Sequence, residues 1–187
     1  MPEQLIAPPA PSPRAEEPRG GWRLLLPYAV QAAGIVAVFA VAGVLAGVVW
    51  EWLWTPPVGL AVHHQWIQDE GGLRANFSGT GTYVLVAVVA GFVVGAGVAL
   101  LVRRSELVTL VAVLGGSLLA GWLMHRVGTA LGPPDPHPLA ASAKDLTEIP
   151  GKLVVSGDST LRAFPGGALI GLTVIFLGLS RHRATRP

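Results

Sequence analysis

The chain has 187 residues, of which 51% are hydrophobic and only 13% charged, with a net charge of +2, a pI of about 9.5 and a mean hydropathy of +0.56. Soluble domains average about 25% charged residues, so roughly half the usual solvating surface is missing and the composition belongs to the membrane class. The absence of cysteine excludes disulfides, iron–sulfur clusters and thiolate zinc sites, and no basic stripe with interleaved aromatics is present to hold nucleic acid.

Residues 1–27 include "APPAPSPRAEEPRGG", rich in proline and charge with nothing to bury, and read as a disordered cytoplasmic tail. The first apolar run, about 28–54, is long enough at about 1.5 Å per residue to cross a hydrocarbon core of roughly 30 Å. It closes on "VVWEWLWTPP", with Trp50, Trp52 and Trp54 expected as an interface belt and Pro56 and Pro57 ending the helix. Residues 55–81 form the first outer loop. There Leu73, Ala75 and Phe77 alternate with Arg74, Asn76 and Ser78, which predicts a half-buried strand. The apolar "LAVHHQWI" upstream is its expected hairpin partner, with Asp69–Gly72 as the turn.

The second span, about 82–102, stops at Arg103 and Arg104, and the third, about 107–126, follows at once. The second outer loop, 127–163, holds the proline-rich crossing "LGPPDPHPLAASAKD", whose continuation "AASAKDLTE" allows a helical turn or two. A second predicted hairpin pairs "KLVVS" with "STLRAF" across Gly157-Asp158. The fourth span, about 164–180, leads into a basic cytoplasmic tail, 181–187. Residues 1–27, 103–106 and 181–187 carry eight Lys and Arg, against five in the longer segments on the opposite side. The denser side is expected to be cytoplasmic. The predicted fold is therefore membrane all-α: a four-helix transmembrane bundle with both termini cytoplasmic and a small extracytoplasmic β cap made from two hairpins.

Lipid is as apolar as leucine, so helices in it associate by close packing at small residues. Gly43 with Gly47, Gly91 with Gly95, and Gly167 with Gly171 each form GxxxG, and Gly116 with Ala120 gives the third span an equivalent face. These faces are expected to hold one bundle together, with contacts between protomers or with other membrane proteins as the alternative use. Glu51 and Arg126 fall at similar depth near the outer interface. They either snorkel separately to water or form a cross-helix structural ion pair; a proton-handling role would require truly deep groups.

The central turns of all four spans contain no Asp, Glu, Lys, Arg or His, and Ser117 and Thr173 are the most polar deep residues. No phosphate loop, paired intramembrane aspartates or HExxH motif is present. His63, His64, Asp69, Glu70, Asp135 and His137 lack zinc-ligand spacing and read as polar loop residues. The sequence thus predicts no catalytic, cofactor or metal site.

The ordered features "GVLAGVVWEWLWTPP", a Gly-rich second span closed by "RR", and "GGSLLAGWLMHRVGTALGPPDP" resemble a family of four-span actinobacterial membrane proteins catalogued only as a domain of unknown function. The resemblance covers about residues 28–180 and rests mainly on Gly115–Asp135. It implies the four-span topology and a bacterial plasma membrane, and it carries no activity. The expected function is a non-enzymatic accessory or scaffold component of the cell envelope, with the lipid bilayer as its first partner. A small oligomeric transporter or channel is the alternative, and an interfacial enzyme around Glu51, His125 and Arg126 is a third.

Overall fold

The computed structural model describes residues 22–102, 105–155 and 157–184. Among these residues four helices are long and apolar enough to cross a membrane: α1 (Trp22–Leu53), α2 (Glu70–Leu101), α3 (Glu106–Leu131) and α5 (Ala163–Ala184). Between them lie strands β1 (Val58–Val62), β2 (Gln65–Ile67) and β3 (Glu148–Pro150), the short helix α4 (Pro136–Ser142), and a 3-10 turn at Asp158–Arg162.

The helices extend beyond the predicted spans, and local capping explains where. Helix α2 begins at Glu70 because the Asp69 carboxylate accepts a hydrogen bond from the Gly72 amide at 2.8 Å. That satisfies one of the free N–H groups of the first turn. The predicted strand over Leu73–Ser78 is therefore helical, and its two-residue alternation was incidental. Helix α3 runs through His125 and Arg126 to Leu131, ending at Gly132 before Pro133 and Pro134. Pro165 lies in the first turn of α5, where its missing N–H costs nothing.

The four long helices form two closely packed pairs, and neither pair is made of sequence neighbours. In the first, Gln31 meets Thr109, Phe39 meets Gly116, Gly43 meets Ala120, Gly47 meets Met124 and Trp50 meets Gly128. Both numbers rise together, so α1 and α3 run parallel. In the second, Val88 meets Gly167, Phe92 meets Gly171, Gly91 meets Phe164 and Gly95 meets Ala168, so α2 and α5 are parallel too. At Gly43, Gly47, Gly91, Gly95, Gly167 and Gly171 these contacts are backbone against backbone. A Cβ added to Gly47 would stand 2.8 Å from the Met124 carbonyl oxygen, and one on Gly43 would stand 2.5 Å from that of Ala120.

Between the pairs the axis is filled by Phe39, Trp50, Tyr83, Met124 and Phe164, all fully buried. Phe39 and Phe164 meet edge to face at 6.2 Å, and Trp50 and Tyr83 at 4.9 Å. The indole N–H of Trp50 donates to the Gly79 carbonyl at 3.0 Å, and the Tyr83 hydroxyl to that of Gly121 at 3.0 Å. The predicted aromatic belt is corrected accordingly. Trp50 (0% exposed) and Trp54 (8%) turn into the protein, and only Trp52 (79%) faces outward. The helical period separates Trp50 from Trp52, because residues two apart in a helix do not share a face, and Trp54, just past the helix end, donates its amide to the Glu51 carbonyl.

Among the described residues the β structure is one three-stranded antiparallel sheet, ordered β2-β1-β3. "LAVHHQWI" forms a hairpin within itself, turning at His63-His64. Among the described residues the second predicted hairpin does not form. β3 joins β1, Leu153 is buried against the bundle, and Asp158–Arg162 is the 3-10 turn. Ser156 lies outside the described residues, as do residues 1–21, Arg103, Arg104 and 185–187.

The two kinds of helix glycine respond oppositely to a methyl group. Gly95→Ala drives its Cβ into the Ala168 backbone, and a loss of about 1–3 kcal/mol is expected from overpacking. A Cβ on Gly97 meets nothing within 4 Å, so Gly97→Ala is expected to gain about 1 kcal/mol of helix propensity. Thermal unfolding of the two variants in detergent checks the contrast.

Candidate functional site

The Trp50–Tyr83 contact and the cap's histidines lie at the end of the bundle that carries the sheet. The β1–β2 hairpin turns on two residues with positive φ, His63 at 49° and His64 at 63°. This is the two-residue loop that matches strand twist and ordinarily favours Asn-Gly. Two contacts hold the histidines there. The Asp145 carboxylate accepts from the His63 amide at 3.0 Å, and the His64 Nδ1 lies 2.9 Å from the Ala141 carbonyl. A carbonyl only accepts, so that nitrogen carries the proton.

Trp66 fixes the rest of the cap. Its indole N–H donates to the Ile149 carbonyl at 3.1 Å, and His137 meets its ring edge to face at 5.8 Å. Gly59 and Gly151 leave room for it, since a Cβ on Gly151 would stand 3.1 Å from the ring. Ala61, Ala140 and Ile149 form a small separate core between the sheet and α4. Asp135 caps α4 by accepting from the His137 amide at 3.0 Å.

Residues paired across antiparallel strands share a face. Gly59, Ala61, Trp66 and Ile149 thus turn toward α4, while Val58, Leu60 and Ile67 form the opposite face with Gln65, Glu148 and Pro150. Val58, Leu60 and Ile67 are 53%, 39% and 49% exposed. The cap therefore presents an apolar sheet face beyond the helix ends.

The candidate metal ligands are dispersed into other roles: Asp69 and Asp135 cap helices, His64 binds a carbonyl and His137 packs on Trp66. Among the described residues no three His, Asp or Glu side chains converge. Of the other sequence-selected residues, Glu51 is half-buried on α1 and Arg126 is exposed on α3. The Arg126 guanidinium lies over the Trp122 ring, 5.6 Å from its centroid. No ion pair to Glu51 is present among the described residues.

Within the helices, Ser117 donates to the Leu114 carbonyl at 3.0 Å and Thr173 to that of Leu169 at 2.7 Å. Each satisfies its hydroxyl on its own helix. Gln31, not singled out in the sequence, donates to the Thr109 hydroxyl at 3.0 Å, and Thr109 donates on to the Ser105 carbonyl. Its signal was available: it is the one amide side chain in the apolar run 28–54. No family model, curated protein or solved structure matches this chain.

Two outcomes follow from this geometry. His63→Asn keeps the His64 contact and suits the left-handed turn, relieving part of the roughly 1–2 kcal/mol that such a conformation costs. Slower hydrogen exchange across Val58–Ile67 would register it. In double-mutant cycles read by thermal stability in detergent, Glu51→Gln and Arg126→Gln are expected to add without coupling. Arg126→Gln and Trp122→Leu should couple by about 0.5–1 kcal/mol, the size of a cation–π contact.

Proposed function

We propose that this chain is a non-enzymatic multi-pass protein of a bacterial plasma membrane, an accessory or scaffold component of the cell envelope. Its termini are cytoplasmic, and its cap faces the outer side as the working surface. The lysine and arginine distribution supports that orientation. The resemblance to four-span actinobacterial proteins supports the location.

The observation that carries the reading is the packed axis. Phe39, Trp50, Tyr83, Met124 and Phe164 occupy the space a conducting path would need. Trp50 and Tyr83 are pinned by hydrogen bonds to backbone carbonyls on neighbouring helices. The polar groups deepest in the helices, Ser117 and Thr173, are spent on their own backbones. What such a molecule offers to others is its surface, and the exposed aliphatic face of the cap suits protein contact.

Liposomes containing the purified chain are expected to pass ions and small dyes no faster than empty liposomes. A selective flux that Gly91→Leu abolishes would replace this reading with transport. Because the chain has no cysteine, single-cysteine variants test the orientation cleanly. His64→Cys should react with an impermeant maleimide in intact cells, and Ser12→Cys only after lysis.

A further inference from the structure

We infer that a groove between α1 and α2, at the end remote from the cap, seats one phospholipid whose tail lies along the groove and whose headgroup donates a hydrogen bond to Gln31. This reading rests on the bilayer placement proposed above. The groove has a volume of about 330 Å³ and lies between residues 30–38 of α1 and 94–102 of α2. Val30, Val94 and Leu101 make its walls apolar, and Gly34 and Gly97 interrupt them. A Cβ on either glycine would meet nothing within 4 Å. Glycine weakens a helix, and at Gly43 or Gly95 a neighbour's backbone in contact offsets that cost. At Gly34 and Gly97 no such contact exists. What these two glycines do is hold the groove open.

Gln31 is the one polar side chain in the lining. Its Nε2 donates to the Thr109 hydroxyl at 3.0 Å, and that hydroxyl donates on to the Ser105 carbonyl at 2.8 Å. The other end of the amide, Oε1, is buried and meets no donor among the described residues. A buried acceptor left unmatched carries its full desolvation penalty. The rest of the lining is aliphatic or glycine, so no side chain there supplies the missing donor. A water molecule needs two or more polar partners to settle in a cavity, and this groove offers one. A small swing about the last torsion of the side chain, which is broad for glutamine, turns Oε1 toward a donor in the groove. Thr109 stands in the first turn of α3, so the amide lies close to where headgroups give way to hydrocarbon. An aliphatic tail with an N–H or O–H donor at that depth satisfies both the groove and the amide. Ethanolamine and glycerol headgroups carry such a donor, and choline carries none.

Native mass spectrometry tests this on the full chain, released from nanodiscs holding phosphatidylethanolamine, phosphatidylglycerol and phosphatidylcholine in equal parts with identical tails. One lipid per chain is expected to stay bound. An ethanolamine or glycerol lipid should be retained roughly tenfold over choline, the discrimination given by one strong hydrogen bond, and the favoured form identifies the headgroup. Gln31→Leu should abolish the preference. Gly97→Leu, growing into open space, should expel the lipid, and Gly34→Leu fills the groove from the other helix should the first variant fail to fold. Thermal unfolding in detergent establishes that each variant is folded. Equal retention of the three lipids would overturn the inference, as would a preference that survives Gln31→Leu or a lipid kept by the filled variants. A chain that stays folded in buffer without any amphiphile would overturn the bilayer placement as well.

Discussion

Backbone-to-backbone contact at glycine is the constraint from which the arrangement follows. Helices as uniformly apolar as these have no polar face to tell inside from outside, and in the membrane setting proposed above, hydrocarbon would reward no burial of leucine over another leucine. Dispersion then decides which helices meet, and dispersion rewards the closest approach. The approach is closest where Gly43, Gly47, Gly91, Gly95, Gly167 and Gly171 remove the side chain from the contact. Each of these glycines carries a neighbour's carbonyl or Cα where its own Cβ would be, so α1 selects α3 and α2 selects α5. The aromatic core is what remains to be filled once two such pairs lie side by side.

The capped end adds what the apolar helices lack, namely hydrogen bonds with direction. Trp50, Tyr83 and Trp66 each donate to a backbone carbonyl on a different element. An aromatic ring with one donor covers much apolar area and still fixes orientation. Trp50 and Tyr83 thereby lock three helices in register, and Trp66 locks the sheet.

Much of this was legible in the sequence, and the failures have physical causes. Four apolar runs stand out because length and hydropathy suffice to mark them. The glycine faces are visible as spacings, but which helix meets which is not, because GxxxG carries no address. Trp50, Trp52 and Trp54 suggested a belt by composition, whereas helical geometry turns Trp50 inward and Trp52 outward, and Trp54 is buried just past the helix end. Leu73, Ala75 and Phe77 alternate like a strand, yet Asp69 caps a helix there and the following span propagates it. The His63-His64 turn escaped notice because His is an unusual choice where both residues need positive φ. Among the candidate site residues, Arg126 was offered either a separate path to water or an ion pair with Glu51, and the contact it makes is with Trp122. Trp122 lies four residues earlier on the same helix, a spacing that puts the two side chains on one face.

The alternation of partners along the chain bears on how the protein is made. Helix α1 leaves the ribosome before its mate α3, and α2 before α5, so no tight pair exists until the third helix has been synthesised. The second pair waits for the last one. A nascent chain halted after α2 exposes the bare glycine faces of both helices with nothing to cover them. Assembly therefore waits on α5, which completes the second pair.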